Sequence, residues 1–168
     1  MKFRAAIPDD LELLRYWDGK AHVIAAGGGN DVFDWEAELP RSPIWRELLI
    51  AEQDGRPIGF FQIIDPAQEE TRYWGDVAPN LRAIDIWIGE ESDLGCGYGA
   101  EIMQLGLGRC FAKPEVTAVL IDPLISNTAA HRFYERLGFL RQERRRFGPD
   151  DCYVYCLTRQ DWARREPL

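Results

Sequence analysis

Three glycines alternate with other residues in the stretch LGCGYGA, residues 94–100, which lies between two apolar segments. The preceding segment, RAIDIWIG, alternates apolar and polar side chains as a β-strand does, and the following segment, IMQLGLGRCF, is predicted to be helical. Glycine costs backbone entropy in ordered structure, so this turn needs a backbone that only glycine allows. Unpaired amides and the helix dipole at such a turn attract anions. The stretch therefore predicts a phosphate or pyrophosphate site, or a tight strand-to-helix corner.

The glycine spacing excludes two common nucleotide-binding motifs. No Lys-Ser or Lys-Thr pair follows the last glycine, as a phosphate-binding P-loop requires. The spacing GxGxG also differs from the GxGxxG of dinucleotide-binding folds. A bound phosphate would therefore belong to another class of ligand.

The remaining pattern predicts one α/β domain over residues 1–168. The chain has 168 residues, of which 46% are hydrophobic and 29% charged, so it is long enough and apolar enough to bury a core. Strands and helices are predicted in the order β-α-α-β-β-β-α-β-α-β-β, which indicates a sheet with helices on both faces. Residues 19–31 are predicted to form a mobile loop, and residues 66–80 a long polar loop. The basic run at 141–147 is predicted to be a solvated edge strand.

Charge and composition narrow the function classes. The net charge of −8 argues against nucleic acid as a partner and suits a cationic substrate, although solubility alone also explains it. No apolar run approaches the ~20 residues of a membrane span, and the N-terminus has no secretory signal, so we expect a cytoplasmic protein without a membrane partner. Four cysteines and two histidines without ligand spacing predict reduced thiols and no metal site.

Three side chains are candidates for catalysis. Asp85 lies inside an apolar strand, where a charge is costly unless it faces a polar cleft or solvent. Asp122 ends the strand AVLID and either caps a turn before Pro123 or faces the same cleft. Tyr134 lies two helical turns after Asn127 on the same helix face, where a phenol can either donate a proton or pack against the sheet.

Other polar and aromatic residues allow both a binding and a structural role. Tyr73, Trp74 and Asp76 lie in the long loop, where they would stack on and pair with a cationic sugar, or anchor the loop. His22 lies in the predicted loop near the N-terminus, with a substrate-side or structural role. His131 is interpreted as an inert helix histidine.

These segments together resemble the GNAT acetyltransferases, in which a Q/R-x-x-G-x-G/A loop binds the pyrophosphate of acetyl-CoA. Leu94 stands where that loop usually has Arg or Gln. The segments IDIWIGEESDLGCGYG, PEVTAVLIDPLISNTAAHRFYERLGF and PDDCYVYCLTRQDW, and WDGKAHV near the N-terminus, resemble the aminoglycoside 6′-N-acetyltransferase branch. That branch has two tryptophans where this chain reads IAAGGG.

The resemblance implies a fold and a set of roles. It implies a single GNAT-type domain with a mixed, mostly antiparallel sheet of about seven strands and a splayed central strand pair. Asp85 and Asp122 would bind and deprotonate the amine, and Tyr134 would protonate the leaving thiolate. The implied cofactor-binding residues are Ile86, Trp87, Ile88, Gly95, Gly97, Tyr98, Gly99, Ala100 and Asn127. One of the first three would supply an amide to the thioester oxygen, freed by a bulge in the strand.

The implied function is transfer of acetyl from acetyl-CoA to a primary amine, best fitted by an aminoglycoside-type amino sugar. The implied substrate-binding residues are His22, Tyr73, Trp74, Asp76, Asp85 and Asp122. Two alternatives stay open: an N-acyltransferase for a siderophore hydroxylamine or another small amine, and a non-catalytic acyl-CoA-binding module. The protein is expected to be a monomer or a homodimer.

Overall fold

Seven strands within the described residues form one sheet. The computed structural model describes residues 1–27 and 33–165. The strands are β1 Lys2–Ala5, β2 Arg46–Gln53, β3 Arg56–Ile64, β4 Leu81–Ile88, β5 Ala118–Ile121, β6 Leu140–Phe147 and β7 Asp150–Thr158. The helices are α1 Leu11–Asp18, α2 Ala21–Gly27, α3 Trp35–Glu38, α4 Tyr98–Phe111, α5 Thr128–Arg136 and α6 Arg159–Arg164. Short 3-10 turns at Pro8–Asp10 and Glu91–Asp93 precede α1 and α4.

The strands are ordered β1-β2-β3-β4-β5-β7-β6, and every neighbouring pair is antiparallel except β4 and β5. The turn between β2 and β3 has positive φ at Asp54 (53°) and Gly55 (81°), as a two-residue hairpin requires. The basic strand β6 lies at one edge with most of its side chains exposed. The mixed, mostly antiparallel sheet and the solvated basic edge are confirmed.

Helices cover both faces of the sheet, because side chains of each strand alternate between two cores. On one face, α4 and α5 pack on apolar residues that include Phe61 and Ile84. On the other face, α1 and α3 pack on Ile50 and Phe60. Beside that second core, Trp74 of the long loop packs over β4, β5 and β7. The predicted two-faced arrangement is confirmed.

The parallel strands β4 and β5 separate near the middle of the sheet. Their pairing runs from Leu81↔Ala118 to Ala83↔Leu120, while β4 continues to Ile88 beside β3. Strand β5 ends at Ile121, and the chain then turns away at Asp122. The splayed pair expected from the resemblance is therefore present, and it opens beside Asp85 and Asp122.

Two helices correct the sequence prediction. Residues 21–27, predicted as part of a mobile loop, form α2, and residues 28–31 of that loop lie outside the described residues. Helix α6 follows the last strand, where no helix was predicted. Thr158 caps it by accepting a hydrogen bond from the backbone N–H of Asp161 at 3.1 Å. The four cysteines are free, as predicted.

Candidate active site

Asp85 projects from the middle of β4 on the face opposite α4. It lies directly across from Gln62 of β3, whose side-chain amide donates a hydrogen bond of 2.9 Å to Oδ2 of Asp85. Burial raises the pKa of Asp85 to about 6, and the bond from Gln62 offsets only part of this effect. Asp85 is therefore a half-buried carboxylate that exchanges a proton near neutral pH, as a general base must.

Asp122 lies where the chain leaves β5, and it receives a hydrogen bond of 2.7 Å from the hydroxyl of Tyr73 in the long loop. Burial and, next, the nearby charge of Asp85 raise its pKa to about 7, against the opposing effect of the Tyr73 bond. Asp85 and Asp122 therefore act on each other electrostatically. Within residues 1–27 and 33–165, neither carboxylate forms an ion pair with Lys or Arg.

Tyr134 lies on α5 with 7% of its surface exposed, packed near Phe133, Phe139 and Tyr155. Burial raises its pKa, and the charges of Asp85 and Asp122 raise it further. The hydroxyl is therefore protonated at neutral pH and can donate a proton. Asp85 and Asp122 thus lie close enough to Tyr134 for their charges to act on its hydroxyl.

The gap between β4 and β5 contains backbone N–H groups of β4 that have no neighbouring strand to bond to. Gly89, just after β4, donates its N–H to the carbonyl of Ile58 at 2.9 Å. Bonds to one neighbour alternate along an antiparallel strand, so the N–H groups of Ile86 and Ile88 point into the gap and that of Trp87 points to β3. The pairing of β3 with β4 keeps one register throughout, so the expected bulge in β4 is absent. The end of pairing with β5, and not a bulge, leaves these amides free.

The glycine turn forms an open cradle at the start of α4. Gly95 and Gly97 have φ of +74° and +88°, and a Cβ atom on either would meet nothing within 4 Å. The first backbone bond of the helix is from the N–H of Ala100 to Gly97 at 3.0 Å, so the amides of Tyr98 and Gly99 precede it. The amides of Tyr98 and Gly99 at the start of α4 are thus available to an anion such as a pyrophosphate.

Asn127 and His22 hold neighbouring segments in place. The side-chain oxygen of Asn127 accepts a hydrogen bond from the N–H of Ala130 at 3.1 Å and so caps α5. Nε2 of His22, on α2, lies 2.8 Å from the carbonyl oxygen of Ile88. A carbonyl only accepts hydrogen bonds, so Nε2 carries the proton. His22 thereby ties α2 to the end of β4 that borders the gap.

The long loop, residues 66–80, has one buried aromatic residue that anchors it and a second that is exposed. Trp74 is 3% exposed and packs edge-on against Phe147, so its ring anchors the loop. Tyr73 is 46% exposed and stacks on the same Phe147 ring. Asp76 is exposed and pairs with Arg72, and no hydrogen bond joins it to Asp85 or Asp122. The site therefore brings Tyr73 to the carboxylates and leaves Asp76 at the rim.

Sequence reasoning missed three residues that support the site: Gln62, Arg145 and Phe147. Gln62 is a buried amide inside the apolar run GFFQII, and a polar residue in such a run was the available signal. Phe147 ends the basic run, and Arg145 donates a hydrogen bond of 2.7 Å to the carbonyl of Trp74. Both lie far along the chain from their partners, so no local pattern links them. Nowhere in the described ranges do three or more His, Cys, Asp or Glu side chains cluster as a metal site would need.

Comparison with known proteins identifies the family. Residues 6–147 match the family described as an acetyltransferase (GNAT) domain. The chain is 32% identical over 164 residues to an aminoglycoside N(6′)-acetyltransferase type 1 of Klebsiella pneumoniae, covering 92% of this chain and 81% of that protein. The chain belongs to the GNAT acetyltransferase family. This confirms the enzyme class expected from the sequence, an acetyl-CoA-dependent N-acetyltransferase.

Solved structures agree with this assignment. The fold of this GNAT enzyme matches the aminoglycoside acetyltransferase AAC(6′)-Ib in complex with ribostamycin and coenzyme A, with a TM-score of 0.87 and 28% identity over 99% of this chain and 97% of that one. A complex of the same acetyltransferase with coenzyme A and kanamycin gives a TM-score of 0.85 at 27% identity, over 97% of each chain. The helices of the described part include none long and apolar enough to cross a membrane.

Proposed function

We propose that this GNAT enzyme acetylates the 6′-amine of an aminoglycoside. The observation that carries the proposal is the Asp85–Asp122 pair, two half-buried carboxylates whose pKa values are raised to about 6 and about 7 and which form no ion pair with a described Lys or Arg. A cationic amine is the ligand that such a pair lacks. The aminoglycoside relatives and the net charge of −8 support an acceptor with several ammonium groups.

The donor side follows from the gap and the cradle. Acetyl-CoA supplies an acetyl group as a thioester. In our proposal the turn at Gly95 and Gly97 and the amides of Tyr98 and Gly99 hold its pyrophosphate at the start of α4, beside Ala100, and Asn127 binds the pantetheine arm. The free N–H of Ile86 or Ile88 donates to the thioester oxygen, while Trp87 supports the strand from the face opposite α4.

The proton steps divide among three side chains. Asp85 and Asp122 bind the ammonium, and one of them accepts its proton, directly or through a water, so that the free amine can attack. Tyr134 donates its phenolic proton to the departing sulfur, which its raised pKa permits because the phenol stays protonated. Bringing both substrates together in one ternary complex supplies much of the rate, so no covalent enzyme intermediate is needed.

The acceptor side is formed by the loop and α2. Tyr73 offers its half-exposed ring to a sugar, Trp74 anchors the loop, and Asp76 at the rim attracts further ammonium groups. His22 keeps α2 against the end of β4. The dependence on acetyl-CoA supports the expected cytoplasmic location, for an enzyme acting as a monomer or homodimer.

The test measures the rate of thiol release from acetyl-CoA in the presence of different acceptors. One aminoglycoside carries a 6′-amine and a matched one carries a 6′-hydroxyl, and a polyamine and an N6-hydroxylysine complete the panel. We expect rapid release with the 6′-amine alone, and loss of that release in the Asp85→Asn variant. Release with the 6′-hydroxyl compound would contradict the assigned position, and release only with N6-hydroxylysine would move the enzyme to the hydroxylamine class.

A further inference from the structure

The ring of Tyr73 is held by packing that does not involve the acceptor. It stacks on Phe147 of β6 with ring centroids 4.5 Å apart and planes 7° apart. Its neighbour Trp74 packs edge-on against the same ring, with centroids 5.1 Å apart, and Arg145 donates a hydrogen bond to the carbonyl of Trp74. The loop is therefore fastened to β6 through the Tyr73 ring and through the following residue, Trp74.

The fastened ring places its hydroxyl on Asp122. The phenol donates to Oδ2 at 2.7 Å, across 49 residues of chain. Among the described residues, no other side chain donates a hydrogen bond to this carboxylate. Oδ2 is thereby held by Tyr73, and the carboxylate also receives a hydrogen bond from its own backbone, so Oδ1 is the oxygen left without a described side-chain donor.

We propose that Tyr73 is a positioning residue for catalysis, whose hydroxyl turns Oδ1 of Asp122 toward the acceptor amine and stabilises the carboxylate in its ionised form. This rests on the proposed function, because it assumes that Asp122 receives an ammonium group. It differs from a role in stacking on the sugar, because the hydroxyl and not the ring carries it. The ring of Tyr73 serves to aim the hydroxyl.

Charged and titratable groups on every neighbouring element act on Asp122. Burial raises its pKa most, followed by the charge of Asp85 on β4. The hydrogen bond from Tyr73 and the positive charge of Arg145 on β6 lower it. Tyr134 on α5 and Cys152 on β7 also feel the charge of Asp122, but both are protonated at neutral pH. The phenol of Tyr73 is therefore the strongest side-chain group favouring the ionised carboxylate.

The Tyr73→Phe variant isolates the hydroxyl, because phenylalanine keeps the stack on Phe147. We measure kcat/KM for the 6′-amino aminoglycoside from pH 5 to 9. Loss of a hydrogen bond to the ionised form raises the pKa of Asp122, so we expect the acidic limb to move upward by about one pH unit. Activity at pH 6 then falls roughly tenfold, and activity at pH 9 stays within about twofold of the wild type. The pKa of the acceptor amine is common to both proteins and cancels in this comparison.

Tyr16→Phe is the matched control, because Tyr16 is exposed on α1 and its hydroxyl accepts a hydrogen bond from Lys20, its one partner among the described residues. We expect its pH profile to overlay that of the wild type. An unshifted acidic limb in Tyr73→Phe, with kcat/KM changed equally at every pH, would overturn the proposal and leave Tyr73 as a lining residue.

A second readout separates this inference from the choice of acceptor. Carbon-13 NMR of labelled aspartate carboxyl groups measures the pKa of Asp122 in the resting enzyme. We expect a higher pKa in Tyr73→Phe than in the wild type. An unchanged pKa would refute the positioning role even if aminoglycosides are substrates, and a raised pKa would support it even if the thiol-release assay rejects them.

Discussion

Two groups of buried carboxylates in this enzyme have opposite electrostatic surroundings. At the β1 edge, Asp10 is 7% exposed and Glu52 is 9% exposed, and Arg4 bonds to both, at 2.6 Å and 2.7 Å. At the centre of the sheet, Asp85 and Asp122 have amide and phenol donors but no described cation partner. The first group is complete within the protein, and the second is not.

The pKa values express this difference. Burial alone would raise the pKa of Asp10, but the bonds from Arg4 and from the amide of Ile7 bring it below its usual value. The pKa of Glu52 is lowered chiefly by its bond to Arg4. At the central pair, burial dominates and both pKa values rise. A carboxylate that the fold neutralises serves stability, and one that it leaves unneutralised serves a ligand.

The largest effect is expected from a variant that breaks the central pair of Asp85 and Asp122. Asp85→Asn keeps the shape of the side chain and an acceptor for Gln62, but it cannot take a proton. We expect kcat/KM for a 6′-amino aminoglycoside to fall by about 10²–10⁴-fold, measured by thiol release. Chemical denaturation at pH 8 should show stability equal to or above the wild type, because a costly charge is removed.

Asp54→Asn is the control for this change, since Asp54 is an exposed carboxylate in a turn where Asn also tolerates positive φ. It should leave kcat/KM within about twofold of the wild type. A comparable loss in both variants would mean that the effect comes from overall charge and not from the site.

The next largest effect is expected from a variant that breaks the edge cluster, which consists of Arg4, Asp10 and Glu52. Arg4→Met leaves Asp10 and Glu52 buried without their cation, and we expect a loss of about 2–4 kcal/mol in the free energy of unfolding, measured with urea. The kcat/KM of the remaining folded enzyme should change by less than about twofold. Lys2→Met, which removes a largely exposed partner of Glu52, should cost under about 0.5 kcal/mol. A loss of activity without a loss of stability in Arg4→Met would reverse our assignment of the two clusters.

A smaller effect concerns the glycine cradle. The Cβ atom added by Gly97→Ala would contact no other atom. The cost to the free energy of unfolding is therefore backbone strain at φ +88°, about 1–2 kcal/mol. Calorimetric titration should give roughly tenfold weaker binding of acetyl-CoA, as the turn relaxes away from the anion. Gly108→Ala in α4 is the matched control, because its added Cβ atom would also contact no other atom and its φ is not positive. We expect this variant to raise stability by about 0.5–1 kcal/mol without changing the affinity for acetyl-CoA. Equal affinities in both variants would remove the cradle from the binding site.

Much of this fold could be predicted because its signals are local. Alternating apolar residues mark β4, apolar runs on either side of Asp54-Gly55 mark β2 and β3, and Asn127 and Gly138 mark the ends of α5. Helix α2 was missed because AHVIAAG has no strong cap and runs into further glycines. Helix α6 was missed although Thr158 with Asp161 is a capping signal.

The site could be predicted only as a set of residue types. Asp85 and Asp122 stand out because each interrupts or ends an apolar strand. Their partners Gln62 and Tyr73 are 23 and 49 residues away, and sequence spacing carries no information about those contacts. The free amides of β4 also depend on where β5 diverges, which is a property of the whole sheet.

The smallest expected effect is a difference in the pH dependence of stability between a variant of the central pair, at Asp122, and a variant of the edge cluster, at Asp10. A carboxyl group with a raised pKa destabilises the folded state as pH rises from its unfolded value toward its folded one. Asp122→Asn should therefore match the wild type at pH 4 and become progressively more stable than the wild type as pH rises toward 7.

Asp10→Asn should show the opposite sign. A lowered pKa stabilises the folded state above the unfolded value, so this variant should be less stable than the wild type at pH 7. The deficit should shrink as pH falls below about 4. Parallel pH profiles for the two variants would contradict the distinction between the clusters.

The most direct test of the central claim is calorimetric binding of a 6′-amino aminoglycoside at pH values from 5 to 8. The ligand stays cationic over most of this range, whereas Asp85 and Asp122 titrate within it. The account predicts that affinity for the wild type rises through about pH 6 to 7, and that the Asp85→Asn/Asp122→Asn double variant binds weakly and without this rise. Equal affinity of the wild type at pH 5 and pH 8 would contradict the claim that this carboxylate pair receives the amine.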